Sequence, residues 1–346
     1  MTRHASAAQA QAWEQPGTLE VAPGVHRIPL PLPNDSLRAV NVYVLLDGDT
    51  ATLVDAGWAK GGSRDRLKAA LRDLDLRLSD IGRFLITHAH RDHYTLGVAI
   101  RRDLGTRLSL GAGERPAIEA LMSDRPPLTG QLQEMRRCGA HDLVARLEQD
   151  PYLNAPGTPG LWEPPDDWLE PGTLRLDSGR TLEVIKVPGH TQGHVIFHDT
   201  EHRLLFTGDH ILPSITPSIA FEPVVPASPL SDYLESLATV RKLPDALLLP
   251  AHGPVAPSVH DRVDELLDHH RQRLAQTETV LRAGSRTARD VAARLPWTKK
   301  ERALDSMDVF NQMLAIAETN AHLTVLVSQG RATCRTSNGV LIYQAS

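Results

Sequence analysis

The stretch "FLITHAHRDHYTLG" (residues 84–97) sets an apolar, β-branched run directly against three histidines and an aspartate. The run reads as a strand, "RFLITHAH" (83–90), bounded by the turn that follows it. His88 and His90 sit two apart at its end, where alternate side chains of extended backbone point the same way. Two imidazoles can therefore converge on one ion. Asp92 and His93 lie beyond the strand end, where the chain turns and a helix starts, so their side chains can aim at a neighbouring position. A metal ion takes about four ligands, and a site built for chemistry keeps one position open to water. The segment needs further ligands from elsewhere in the chain.

The same pattern of apolar run followed by a ligand residue recurs downstream. "TLEVIKVPGH" (181–190) ends on His190, "LLFTGDH" (204–210) offers Asp209, and "LLLPAHG" (247–253) offers His252. Further strands are read at 40–46, 51–57, 107–110 and 194–199. Helical periodicity lies between several of them: residues 63–74 put Leu67, Ala70, Leu71 and Leu74 on one face, and 230–243 repeat the device. Alternating strands and helices predict an α/β layered core, whose strand ends share a common rim. An isolated HxH carries little information; HxHxDH with a downstream His, Asp and His at strand ends is specific.

Composition bounds the rest. The chain has 346 residues, 41% apolar and 23% charged, and a formal net charge of −5, which argues against a generally basic nucleic-acid or membrane binder. Two cysteines give no disulfide framework and fit a reducing compartment. Residues 1–18 read as a loose leader without a secretory apolar segment, and no stretch reaches the roughly 18 apolar residues of a membrane span. A cytoplasmic protein without membrane contact is expected. Residues 19–260 are read as the catalytic domain, with a helical and Pro-rich insertion at 113–179 containing two helices, 114–124 and 130–149. Residues 261–346 are read as a second domain, helices followed by a hairpin around Asn338-Gly339, in the manner of a winged helix.

HxHxDH with its three downstream partners resembles the metallo-β-lactamase superfamily over about residues 24–255. The resemblance implies an α/β fold, a four-layer αβ/βα sandwich, here followed by the small C-terminal winged-helix-like domain. It implies that His88, His90 and His190 hold a first metal, that Asp92, His93 and His252 hold a second, and that Asp209 bridges them. Asp55 in "LVDAG" matches the early Asp that supports the ligands in such proteins. Asp55, His194, His210 and Tyr94 are the candidates for supporting roles. Two divalent ions are implied, Zn foremost, with Fe or Mn also fitting such mixed donors. A hydroxide between them would attack the substrate, with Asp92 orienting it and handling its proton.

The bridging Asp separates this chain from β-lactamases that carry Cys or Ser there, and points to the thioesterase, lactonase, phosphodiesterase and nuclease branches. The tail makes it look most like the β-lactamase-like 2 group. The expected substrate is an ester or thioester: an acyl-CoA, an acyl carrier or a lactone. An apolar pocket from Leu121, Met122, Leu128, Trp162 and Trp168 of the insertion would take the acyl part. The alternative is a metal-dependent ribonuclease or phosphodiesterase. From Leu281 onward nine Arg/Lys face five Asp/Glu, a small excess for binding phosphates. The tail therefore reads as a packing or homodimerisation module rather than a nucleic-acid reader.

Overall fold

The computed structural model describes residues 13–33, 36–126, 128–150, 160–284, 286–298 and 300–346. Residues 1–12 of the expected leader, and Tyr152 of the insertion, lie outside the described residues. The first sheet has seven strands in chain order: β1 (Leu19–Ala22), β2 (Val25–Pro31), β3 (Ala39–Asp47), β4 (Thr50–Val54), β5 (Ile81–Ile86), β6 (Arg107–Gly111) and β7 (Asp167–Leu169). β1 to β4 pair antiparallel, and β4 to β7 pair parallel. Parallel neighbours need a crossover. Helices α1 (Ser63–Arg72) and α2 (Arg91–Leu104) supply the first two. The insertion forms α3 (Arg115–Leu121), α4 (Thr129–Arg137) and α5 (His141–Gln149). The second sheet contains β8 (Gly172–Arg175), β9 (Thr181–Lys186), β10 (Val195–Asp199), β11 (Leu204–Gly208) and, after α6 (Pro229–Val240), β12 (Leu247–Pro250), in the order β12-β11-β10-β9-β8. The chain closes with α7 (Val259–Arg282), α8 (Ala288–Ala292), α9 (Val309–Ser328) and the hairpin β13 (Ala332–Ser337)–β14 (Val340–Ala345).

Strand alternation divides the apolar residues between layers. Tyr43, Leu45, Leu85, Val195, Phe197 and Phe206 form the core between the sheets, with the Tyr43 and Phe206 rings edge to face at 5.4 Å. Their chain neighbours Val42, Val44, Phe84 and Ile86 face outward, onto Leu67 and Leu71 of α1 and Leu96 and Ile100 of α2. On the far side Ile196, Leu205 and Leu248 pack under Leu230, Tyr233 and Leu237 of α6 and Val263 and Leu266 of α7. The result is the expected αβ/βα sandwich. The same outer core continues through Leu132, Met135 and Leu147 of the insertion into Ile316, Leu323 and Leu326 of α9.

Three expectations change. The segment 130–149 is not one helix: it breaks at Cys138–Ala140, where Gly139 takes φ 77° and leaves α4 and α5 as a helical hairpin. His88 and His90 are not strand residues. β5 stops at Ile86 because the Thr87 N–H donates to the Asp55 carboxylate (2.9 Å) rather than to a neighbouring strand. The apolar pocket drawn from the insertion assembles only in part: Met122 and Trp168 line one cavity of about 320 Å³ with Ile118 and Pro164, while other members join different layers. Leu128 lies in the outer core beneath α6 and α7, whereas Trp162 and Trp168 pack with the α1–α2 side, and Met122 is exposed. Strands β1, β2, β7 and β8 are short or Pro- and charge-interrupted and escape the sequence pattern.

Candidate metal centre

Five imidazoles and two carboxylates meet at the sandwich rim. His88, from the loop after β5, and His90, the residue capping α2, converge with His190, from the loop after β9, and with Asp209, just past β11. The Nε2 atoms of His88 and His190 each lie 3.0 Å from Nδ1 of His90. Asp92 and His93 in the first turn of α2 form a second group with His252, from the loop after β12. Nε2 of His252 stands 3.4 Å from Asp92, and Nε2 of His93 stands 3.7 Å from it. Asp209 reaches both groups. Its Oδ2 is 3.5 Å from His190 Nε2, and its Oδ1 is 3.2 Å from His252 and 3.6 Å from His93. One side of the carboxylate faces each group.

The far nitrogen of every ring is tied. His190 Nδ1 pairs with the Ser218 carbonyl (2.7 Å), His90 Nε2 with the Phe221 carbonyl (3.0 Å) and His252 Nδ1 with the Ala39 carbonyl (2.7 Å). His93 Nδ1 pairs with Asp55 (2.9 Å) and His88 Nδ1 with the Thr87 hydroxyl (3.1 Å). A carbonyl, carboxylate or, for His88, hydroxyl oxygen accepts the ring proton there and fixes the tautomer, so the other nitrogen points into the centre. His93 Nε2, His252 Nε2 and Asp209 Oδ1 are buried without a hydrogen-bond partner. Inward lone pairs crowded at 3.0 Å repel, and buried acceptors without partners are costly, unless a cation sits among them. The donor set thus fits two divalent ions, one in each of the two ligand groups found among the described residues.

Electrostatics differ between the groups. Burial, reinforced by the neighbouring imidazoles, holds His88 well below its ordinary pKa and His90 at about 3. Burial also lowers His190, partly offset by Asp209. Burial acts the same way on His93, but the carboxylates of Asp55, Asp92 and Asp209 outweigh it and push it up to about 9. His252 is raised by Asp209 and Asp92 against burial. The imidazoles of the first group are driven toward the neutral form, whereas carboxylates drive those of the second toward the protonated form.

The supporting candidates separate. Asp55, held at φ 61°, accepts from the Thr87 N–H, the Thr87 hydroxyl and His93, and so bears on both ligand groups. His194 stacks on His88 at 4.8 Å, and its Nε2 accepts the backbone N–H of Asp209 (3.2 Å). His210 is buried behind this pair, its ring 6.0 Å from that of His194 and edge-on to Tyr233 at 5.2 Å. Tyr94 turns away from the centre: it stacks on Trp162, and its hydroxyl donates to the Glu163 carbonyl (2.7 Å). A helix turns about 100° per residue, so a side chain following His93 faces another layer. Sequence reading missed Thr87 and the carbonyls of Ala39, Ser218 and Phe221. Backbone acceptors leave no trace in side-chain identity, though Thr87 sits inside the motif and was open to notice.

A sequence profile described as the metallo-beta-lactamase superfamily matches residues 35–252. The chain is 28% identical over 291 residues to the beta-lactamase-like protein 2 homolog of Caenorhabditis elegans, covering 84% of this chain and 76% of that protein. It is 24% identical over 255 residues to an atrochrysone carboxyl ACP thioesterase of Aspergillus fumigatus, covering 74% of this chain and 64% of that one. Among solved structures, a metallo-beta-lactamase family protein from Thermus thermophilus superposes with a TM-score of 0.78 at 25% identity, over 94% of this chain and all of the other.

Proposed function

The chain belongs to the metallo-β-lactamase superfamily, and on that premise we propose that it hydrolyses an ester or thioester carbonyl, in an acyl-CoA, an acyl-carrier thioester or a lactone. In this reading His88, His90 and His190 hold one divalent ion, Asp92, His93 and His252 hold the other, and Asp209 bridges them. The observation that carries it is the split orientation of the Asp209 carboxylate, one oxygen toward each group. Zn is the expected metal. Held by these residues, two divalent ions would supply Lewis-acid activation of water, giving a nucleophile at neutral pH. Asp92 keeps 15% of its side chain open to solvent, which suits a group that takes up or passes a proton.

Support for a thioester comes from the rim and from kinship. The stretch 211–228, which supplies the carbonyls for His190 and His90, leaves Ile215 and Val224 exposed as apolar contacts for an acyl group. Beside Asp92, the Arg91 guanidinium lies over the Trp58 ring at 4.6 Å with Lys60 at 6.0 Å, a surface suited to the anionic part of such a substrate. The A. fumigatus relative is by its name an acyl-carrier thioesterase. Residues 261–346 are read as a winged-helix-like module that packs, or pairs two copies, and does not read nucleic acid: the middle of α9 is buried in the outer core. Among the described residues no helix is long and apolar enough to cross a membrane. A cytoplasmic site of action is part of the proposal.

The test is a substrate panel with metal analysis. Metal-replete protein should carry two ions per chain and release thiol from acyl-CoA or open a lactone, with little dependence on salt. Asp209→Ala should lose the second ion first and most turnover. Full activity in that variant would remove the bridging role. Cleavage of single-stranded RNA without thioester or lactone hydrolysis, and with binding that weakens steeply in salt, would replace the proposal by its alternative, a metal-dependent ribonuclease or phosphodiesterase.

A further inference from the structure

Behind the first metal site lie two buried carboxyl groups that the proposed chemistry does not use. Glu114 opens α3 and is 1% exposed; Glu222, in the stretch after β11, is 3% exposed. The Thr191 hydroxyl, one residue after His190, donates to Oε1 of Glu114. The other Glu114 oxygen, Oε2, is buried without a hydrogen-bond partner. Glu222 approaches the same loop from its other side, where its Oε2 accepts the Gln192 N–H (3.2 Å). Its preceding carbonyl, Phe221, is the partner of His90. The loop has no slack at this point: a Cβ at Gly193 would stand 2.0 Å from the Glu114 nitrogen.

Burying a carboxyl is costly. Burial pushes Glu114 up to about 7, and burial together with the Glu114 charge pushes Glu222 up to about 8. Surface residues could brace a loop without that cost, so the carboxyls' position against the loop that carries His190 calls for a role there. We propose that Glu114 is a positioning residue, bracing the 190–193 loop through Thr191 so that His190 is held in register with the other first-site histidines, with Glu222 holding the same loop at Gln192. Neither residue touches substrate. The inference rests on the ligand assignment above, and each can fail separately.

The experiment compares the full chain with Thr191→Val, which keeps the shape of Thr191 but removes the hydroxyl, and with Glu114→Gln, which keeps one acceptor oxygen. Metal binding to each apoprotein is titrated with Co²⁺, and site occupancy is read from the paramagnetically shifted ring-proton NMR signals of the ligand histidines. Supporting groups of ligand residues are worth about 10- to 100-fold in metal affinity. Thr191→Val should weaken first-site affinity about tenfold and leave the second site within about twofold, and kcat should fall while KM stays. Glu114→Gln should show a smaller loss of the same kind. Both variants should melt as folded proteins. Folded variants with unchanged first-site affinity and ring-proton shifts would overturn the brace. If instead the parent protein fails to bind two ions, the ligand assignment falls and not merely the brace.

Discussion

At the scale of single residues the centre is built by opposed pressures on one side-chain type. Five histidines share a few ångströms, yet His90 is driven to about 3 by burial and its neighbours, while His93 is lifted to about 9 by three carboxylates. The consequence is an ordered loading of metal. First-site rings present lone pairs throughout the neutral range. In the metal-free chain His93 keeps its second proton until the pH approaches 9, and a metal must displace it. Second-site affinity should therefore rise with pH between about 6 and 9 while first-site affinity stays nearly flat, and second-site binding at about pH 7 should release protons. Calorimetric titration in buffers of different ionisation heat measures this directly. The linkage to stability has the matching sign: with its folded pKa raised, protonated His93 stabilises the metal-free fold fully below its ordinary value of 6.5, and that contribution fades as pH rises through about 9. Equal pH dependence at both sites would contradict the electrostatic division.

Among elements, the strand-to-loop transitions matter most, because each ligand loop starts where a strand can no longer pair. The end of β11 is the tightest. Gly208 takes φ 50°, and a Cβ there would stand 2.6 Å from the Thr87 hydroxyl and 2.9 Å from the His194 ring. Gly208→Ala would combine overpacking, about 1–3 kcal/mol, with a left-handed backbone cost of about 1–2 kcal/mol. It should lower stability in denaturant unfolding and weaken metal binding together, since the displaced groups support His88 and Asp209. By contrast the hairpin turn at Asn338 and Gly339, with φ 50° and 79°, is remote from every ligand. The turn was legible from its two residues alone. The interruption of 130–149 was not, although Gly139 stood in plain view, because helical periodicity on either side masks a single left-handed residue.

For the whole molecule, continuity of the outer core is the governing fact. Residues of the second sheet, the insertion and α7 to α9 share one apolar cluster, and Asn320 of α9 donates to Glu134 of α4 (2.6 Å). Separating the C-terminal region would uncover much of that cluster, at roughly 25 cal/mol per Å² of apolar surface. Metal-free protein should therefore unfold in a single calorimetric transition whose midpoint rises on adding metal, which binds only the folded chain. Two well-separated transitions would show that the C-terminal region is energetically independent.

The sequence by itself determined an α/β layered core with ligand-type residues at its strand ends, because periodicity and ligand chemistry are both written in side-chain identity. The motif's resemblance to its family implied the sandwich and the grouping of the seven residues. Asp55 could be named from the family resemblance, whereas the sequence left His194 open between supporting the site and packing. Tertiary structure alone decided where Tyr94, His210 and the insertion's tryptophans face, which carbonyls orient the ligand rings, and that Glu114 and Glu222 lie behind the first site. Those outcomes depend on contacts between segments distant in the chain, many through backbone atoms common to every residue. "FLITHAHRDHYTLG" announces a metal centre; the packing of Asp55, Thr87 and the loops around it decides how the centre is held.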